Sequence, residues 1–523
     1  MNATFRAVGA APLRDGGHSS RGKPVPATVA ERLAPLLALG CLAGTLVVPA
    51  FAAPNARLAD AIEKNDFAAV RALIGDSDVN AAQVDGMSAL HWAARHDQLE
   101  TAKALLAAGA SATTENRYGV TPLALACING NAEMITLLLE AGADPNAALR
   151  GGETPLMTAA RTGKVSAVKA LLIRGAAVDA QLPQGQTALM WAAADGHFEV
   201  VEALLAAGAD FRTALTSGFT PMLFAVRGGH TPIVRALLEA GIDVNEPAEP
   251  ARNVRKFLRK GASALTTAIE NGHFELAALL LDLGADAGDA RSGYTPLHIL
   301  SWIRKPDRGE ADGDPVPEGS GNLTSEDLIR RLVAKGANVD QRLTGGPSGG
   351  GRIARKGCTP FMLAADTADT EFMRLLVEFG ADPTIPNLDQ CTPIMAAAGL
   401  GTRTAEEEAG TEDEAVEAIN YLLSLGADIN AVSSHGDTAM HGAAFANFPK
   451  VVNLLAAKGA KIEIWNQPNK RGWTPLRIAE GHRYGNFKPS FETVAAIKAV
   501  MIANGVTPPP PIPPVPVKGY EAN

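Results

Sequence analysis

The feature that most constrains this chain is a unit of 33 residues that recurs along it. In the copy Thr121–Glu153, Thr121 is suited to cap a helix, because its hydroxyl can accept an unpaired N–H of the first turn. Pro122 fits the first helical position, and Gly142 fits the left-handed residue that ends a second helix. Two helices this short cannot bury enough apolar surface alone, so the unit must stack on copies of itself.

The copies are recognised by their capping residue, first at intervals of 33 residues and later at longer ones. The caps are Ser88, Thr121, Thr154, Thr187, Thr220, Ser263, Thr295, Thr359, Thr392, Thr438 and Thr474. The unit opens as SALHWA from Ser88 and TPLHIL from Thr295, and its second helix ends in the pattern LLxxGAD. This pattern resembles the ankyrin repeat. The resemblance covers residues 57–505 and implies an all-α solenoid of about 12 helix-turn-helix repeats with β-turn finger loops and irregular insertions in the C-terminal half.

The spacing of the caps also predicts how the chain is divided. We expect a signal peptide at 1–52, an N-terminal capping repeat at 53–86, regular repeats at 87–245 and a basic finger insertion at 246–262. Further repeats follow at 263–505, with insertions at about 304–323, 344–357, 400–413 and 481–490. Residues 506–523 form a proline-rich tail that we expect to be an extended spacer or a ligand for a groove.

The first 52 residues have the order of a secretory signal. Basic residues precede the apolar run Leu33–Val48, and Ala50-Phe51-Ala52 has the small-x-small pattern of a cleavage site. We expect cleavage near Ala52/Ala53. The mature protein is then expected to be periplasmic or secreted, with no membrane insertion. An uncleaved anchor is the alternative, although sixteen apolar residues are few for a span of about 20.

The net charge restricts the class of partner. The whole chain carries −9, and removing five basic and two acidic residues with the signal leaves 42 basic against 54 acidic residues, or −12. An acidic chain is poorly suited to phosphate contacts, so we expect no nucleic-acid binding. The sequence has no motif for a catalytic site, a cofactor or a metal, and we predict that the protein is not an enzyme.

Two cysteines and three histidines have structural interpretations. Cys358 and Cys391 lie one repeat apart, farther than the Cα distance of about 7 Å that a disulfide allows, so we expect no bridge between them. His197, His230 and His273 each precede a second helix and are expected to serve the fold.

Two irregular segments lead to further expectations. The basic finger contains Arg255 and Lys256, which face either solvent or an acidic partner. The insertion at 400–413, together with Glu414, is expected to form a solvated acidic loop. Gln390 stands where other fingers have glycine, and a left-handed backbone there would cost about 1–2 kcal/mol, so we expect this finger to turn differently.

A binding surface follows from the face of each first helix. Trp92 lies about 200° around the helix from Leu90, away from the buried stripe, and Trp191 and Phe224 occupy the same place in their repeats. In an ankyrin stack this side lines the concave groove, beside the finger residues. The predicted partner-binding residues are Met87, Trp92, Tyr118, Gln186, Trp191, Phe219, Phe224, Arg255 and Lys256. The alternative is that the aromatic rings pack laterally between repeats.

The resemblance and the signal together predict the function. We expect a monomeric, non-enzymatic scaffold of the cell envelope that binds a protein partner through the groove and fingers. The alternative is an accessory regulator or chaperone-like protector of a periplasmic enzyme.

Overall fold

A computed structural model describes residues 56–252, 258–306, 319–344, 353–402, 404–405, 407–482 and 489–510. Over these ranges the chain forms 25 α-helices and no β-strand. Its contacts divide it into two compact units, with the boundary after Pro183. The predicted signal peptide and most of the predicted tail lie outside the described residues.

The first unit consists of four helix pairs. Its helices are α1 Arg57–Glu63, α2 Phe67–Leu73, α3 Ala89–Arg95, α4 Leu99–Ala107, α5 Pro122–Asn129, α6 Ala132–Glu140, α7 Pro155–Thr162 and α8 Val165–Ile173. The first helices α1, α3, α5 and α7 pack on one another in chain order, and the second helices α4, α6 and α8 do the same. Each pair therefore completes its core with its neighbours, as the repeat predicts.

The second unit contains eight further pairs and one additional short helix. Its helices are α9 Ala188–Ala194, α10 Phe198–Ala206, α11 Pro221–Arg227, α12 Thr231–Glu239, α13 Ala264–Glu270, α14 Phe274–Asp282, α15 Pro296–Arg304, α16 Ser325–Ala334, α17 Pro360–Asp366, α18 Thr370–Glu378, α19 Pro393–Ala397, α20 Glu412–Ser424, α21 Ala439–Ala446, α22 Pro449–Ala457, α23 Ile462–Trp465, α24 Pro475–Ala479 and α25 Phe491–Ala503. With α23 set apart, the described chain has the predicted twelve helix-turn-helix repeats. The helix α23 lies in a finger and had no signal in the repeat pattern.

The predicted caps begin the first helices. Thr121 Oγ1 accepts the backbone N–H of Ala124 at 3.1 Å, and Thr187 and Thr220 make the equivalent bond to the third residue of their helices. Pro122 occupies the first turn of α5, and Gly142 has φ +92° after α6. The capping hydroxyl thus satisfies a donor that the short helix would otherwise leave unpaired.

The finger that contains Gln390 does not turn differently, and that expectation is wrong. Gln390 has φ +57°, the left-handed conformation that Gly119 adopts at φ +76° in an ordinary finger. Its backbone N–H donates to Asn387 O at 3.1 Å, and the Asn387 N–H donates to Cys391 O at 3.0 Å. The buried Asn387 side chain also accepts the Cys391 N–H at 2.9 Å. These bonds hold the turn and offset the cost of the left-handed residue.

The acidic insertion is also shorter than expected, because its last residues are helical. Glu412, Asp413 and Glu414 form the first turn of α20 and do not lie in a loop. Thr411 caps this helix in a capping box with Glu414. Carboxylates are favoured there, since the first turn of a helix carries a partial positive charge. Residues 403 and 406 of the insertion lie outside the described residues.

A buried histidine joins consecutive repeats in several places. Thr295 N–H donates to His298 Nδ1 at 3.3 Å, so that nitrogen is an acceptor and Nε2 carries the proton. The Nε2–H then donates to Cys358 O at 3.2 Å, on the finger of the next repeat. His298 is fully buried, and burial lowers its pKa to about 4 although the Cys358 carbonyl opposes the shift. His91 makes the same bridge to Val120 O at 2.9 Å.

The His298 bridge predicts a loss of stability in mild acid. The unfolded histidine takes up a proton below about pH 6.5, whereas the folded one stays neutral to about pH 4. The contribution of the neutral His298 to the free energy of unfolding is therefore complete above pH 6.5. About 3 kcal/mol of it is lost as the pH falls to about 4. Urea unfolding of the chain between pH 7.5 and 4.5 measures it.

In the variant His298→Gln we expect lower stability at pH 7.5 and a flatter dependence on pH. The exposed His435 offers a matched control, because His435→Gln makes the same chemical change on the surface. An unaltered slope in His298→Gln would contradict the assignment of the bridge.

Candidate functional site

The helices α3, α9 and α11 each bury one side and leave the side next to the fingers half-exposed. In α3, Leu90 and Ala93 are buried, whereas part of Trp92 is exposed. Trp191 and Phe224 lie at the same place in α9 and α11, four residues after the cap, and are also half-buried. A residue three positions further on faces the same side of a helix. We call the residue before the cap and those four and seven after it the groove positions.

In the first unit, Trp92 is held by the preceding finger and by its own helix. Its Nε1–H donates to Gln83 Oε1 at 2.8 Å, and its ring stacks on His96 with 5.5 Å between ring centroids. Gln83 is in turn held by Asp60, whose Oδ1 accepts from Gln83 Nε2 at 2.7 Å. The ring is thus fixed in place while it remains partly open to solvent.

The two other residues predicted for this unit differ from each other. Met87 is 7% exposed, and its sulfur accepts a hydrogen bond from Asn116 Nδ2 at 3.4 Å. The prediction that Met87 lies on a contact surface is therefore wrong, because its side chain is buried against the finger. Tyr118 is 55% exposed at the finger tip. The Arg117 guanidinium lies 5.1 Å from the centre of its ring and donates to its hydroxyl at 3.0 Å. Tyr118 is available for contact, and Met87 is not.

In the second unit the structure brings two predicted residues together. The rings of Phe219 and Phe224 stack with 4.9 Å between their centroids, and the Arg227 guanidinium lies 5.6 Å from the centre of Phe219. Arg227 occupies the groove position seven residues after the cap and is exposed. We call these three residues the Phe219 cluster.

Gln186 and Trp191 hold the neighbouring groove positions of the repeat that opens at Thr187. Both are half-buried. The Gln186 Oε1 atom is enclosed and has no hydrogen-bond partner in the part of the chain that the structure describes. A buried acceptor without a donor is costly to the folded state.

A second cluster of aromatic and arginine side chains was not foreseen from the sequence. Tyr294 and Trp302 meet edge to face at 5.2 Å. The Arg259 guanidinium lies 5.0 Å from the Tyr294 ring centre and 5.6 Å from that of Trp302, and Arg355 lies 6.0 Å from the latter. Stacked guanidinium groups are attracted to aromatic faces. We call these four residues the Trp302 cluster.

The sequence did carry a signal for this cluster. Tyr294 precedes the cap Thr295, as Phe219 precedes Thr220, and Trp302 stands seven residues after its cap. Both are groove positions. Sequence reasoning missed them because an insertion interrupts the repeat that opens at Thr295.

The finger at 246–262, described over 246–252 and 258–262, contributes residues that contact both clusters. Its ends are joined by backbone bonds from Ala248 N to Ala262 O at 2.7 Å and from Gly261 N to Ala248 O at 2.8 Å. Phe219 and Leu258 both pack against the core that these alanines form with Leu223. Arg259 follows directly and reaches the Trp302 cluster. The predicted contact residues Arg255 and Lys256 lie outside the described residues.

An acidic side chain is paired with the Trp302 cluster. Arg259 Nη1 forms an ion pair with Glu270. Glu270 occupies the groove position seven residues after the cap Ser263. Burial raises the pKa of the Glu270 carboxyl, and the charge and hydrogen bond of Arg259 oppose the shift. The pair holds Arg259 between the rings, and both partners keep some exposure to solvent.

Chemically reactive groups are sparse on this face. Cys358 and Cys391 are buried free thiols, and burial raises the pKa of Cys391 to about 12. Among the residues that the structure describes, no three His, Cys, Asp or Glu side chains are grouped so as to hold a metal ion. No described helix is both long enough and apolar enough to cross a membrane.

The family models that match this chain all describe ankyrin repeats. Family models described as ankyrin repeats match residues 58–149 and 156–248 in three-copy form and 133–172 in many-copy form, and a single-repeat model matches 356–388. Among the relatives, the chain is 34% identical over 141 residues to "Ankyrin repeat, SAM and basic leucine zipper domain-containing protein 1" of Dasypus novemcinctus, 27% of this chain and 25% of that protein.

Two other relatives match shorter parts of longer proteins. "Transient receptor potential cation channel subfamily A member 1" of Homo sapiens is 31% identical over 86 residues, 16% of this chain and 8% of that protein. "Neurogenic locus notch homolog protein 1" of Danio rerio is 30% identical over 208 residues, 35% of this chain and 8% of that protein. The chain thus spans at most a quarter of the length of these relatives.

Proposed function

Because the chain is an ankyrin-repeat protein, we propose that it is a non-enzymatic scaffold of the cell envelope that binds a protein partner through its groove positions and finger tips. Ankyrin repeats are in general protein–protein interaction modules. The observation that carries the proposal is the pair of aromatic–arginine clusters, built around Phe219 and Trp302, in the repeats that open at Thr220 and Thr295.

The chemistry of these clusters suits a protein interface. Aromatic and arginine side chains are enriched among the residues that dominate binding energy, and rings already held in place lose little entropy on contact. The guanidinium groups over Phe219, Tyr294 and Trp302 can bond a carboxylate or a backbone carbonyl while they stay on the rings.

The cell-envelope part of the proposal rests on the sequence. The order of basic residues, apolar run and Ala50-Phe51-Ala52 is that of an exported protein. Export would bring the groove to partners in the periplasm or outside the cell.

Site-specific photocrosslinking in cells tests the binding surface. With a benzophenone amino acid in place of Tyr118, Phe224 or Trp302, we expect each chain to yield an adduct with the same protein, because the three positions belong to one kind of surface. The controls are Ile173 and Leu283, which are 81% and 44% exposed and do not occupy groove positions.

We expect the control positions to give no such adduct. Adducts of equal yield at the control positions, or none at Tyr118, Phe224 and Trp302, would contradict the proposed surface.

Export has its own test. We expect the protein isolated from the cell envelope to begin at Ala53, because cleavage after Ala53 would place Pro54 at the new N-terminus. Intact-mass measurement should show the loss of residues 1–52. A chain that retains these residues in the cytoplasm would refute the location and leave the binding surface untouched.

A further inference from the structure

The last helix of the described chain, α25, is apolar on two opposite sides. Its buried side packs on α22 and α24. On the other side lie residues at i, i + 4, i + 8 and i + 11, which fall within an arc of about 80° on a helix of 3.6 residues per turn. They are Phe491, Ala495, Ala499 and Ile502. Phe491 is 82% exposed and Ile502 65% exposed. We call this side the outer stripe.

The outer stripe is unusual for a helix at the end of a stack. A terminal repeat needs a polar outer side to stay soluble. The charged residues of α25 are Glu492 and Lys498, which border the outer stripe. Lys498 Nζ forms an ion pair with Glu480 Oε1 at 3.4 Å. An apolar strip of this kind is expected to be covered.

The chain changes direction at the point where the outer stripe ends. Gly505 adopts φ +74°, its N–H donates to Ile502 O at 2.9 Å, and the Val506 N–H donates to Met501 O at 2.9 Å. This pair of bonds is a Schellman motif, which ends the helix and redirects the chain. Residues 511–523 lie outside the described residues.

The composition of the tail fits the outer stripe. Pro508–Val517 contains seven prolines, Ile512, Val515 and Val517, and no charged residue. At about 3.1 Å per residue in polyproline II form it would extend about 31 Å, whereas the 13 residues of α25 span about 20 Å. Because proline has no N–H, the segment would lay only three backbone donors against an apolar surface.

We propose that the proline-rich segment Pro508–Val517 folds back along α25, covers the outer stripe and caps the end of the repeat stack. Phe491 supplies the aromatic surface on which proline-rich segments characteristically pack. The proposal does not depend on the partner-binding function, because α25 bears none of the proposed groove contacts.

A double-mutant cycle tests this contact. The chain is truncated after Thr507, in the unsubstituted protein and in the double variant Phe491→Ser, Ile502→Ser, and hydrogen exchange of the α25 amides is followed by mass spectrometry. We expect truncation to speed exchange about tenfold in the unsubstituted protein and less than twofold in the double variant, since the docking surface is already lost there.

Two controls keep the result specific. A full-length chain with Ile512→Ser, Val515→Ser and Val517→Ser should reproduce the truncation, and it decides the question if the truncated chain does not fold. Ile173→Ser, at an isoleucine that is 81% exposed on α8, should leave the effect of truncation unchanged.

Two outcomes would overturn the proposal. One is an equal effect of truncation in both backgrounds, which would mean that the tail does not contact the outer stripe. The other is a concentration-dependent dimer in light scattering that Ile502→Ser dissolves and truncation leaves intact, which would assign the outer stripe to a second copy of the chain.

Discussion

Every part of this molecule depends on the fact that its helices are too short to be stable alone. The first helices of the repeats are at most nine residues long, as in α15, and most second helices are nine, as in α6. Isolated helices of this length are unstable in water, so their stability comes from packing on neighbouring repeats. The caps and the buried histidines serve that packing, because His91 and His298 each bond the finger that follows their repeat. Stacking leaves Trp191 and Phe224, at two of the groove positions, half-exposed.

The regular part of the fold could be predicted because its determinants are local. Thr121, Pro122 and Gly142 specify a helix start and a helix end by chemistry that acts within a few residues. Gln390 shows the limit of that reasoning. Its turn follows from the bonds of Asn387, which outweigh the intrinsic preference of one residue. Glu412 and Asp413 were read as loop residues from their charge, although that charge favours a helix start.

The binding surface was predictable to a smaller extent, for a physical reason. Helix periodicity separates Trp92 from the buried stripe, but it does not show how deep a finger residue lies, so Met87 was wrongly placed on the surface. Nor does periodicity reveal contacts between fingers and helices of different repeats. Arg259 joins Tyr294 and Trp302 across such a boundary, and only the folded chain shows it.

The central claim is that rings at the groove positions bind the partner and do not merely hold the stack together. The most direct test measures both properties in Trp191→Ala and Trp302→Ala: the affinity for the crosslinked partner and the free energy of unfolding. We predict that each change weakens binding by thirtyfold or more, about 2 kcal/mol, and alters the free energy of unfolding by less than that amount. A fall in stability with unchanged affinity would contradict the claim and assign these rings to packing between repeats.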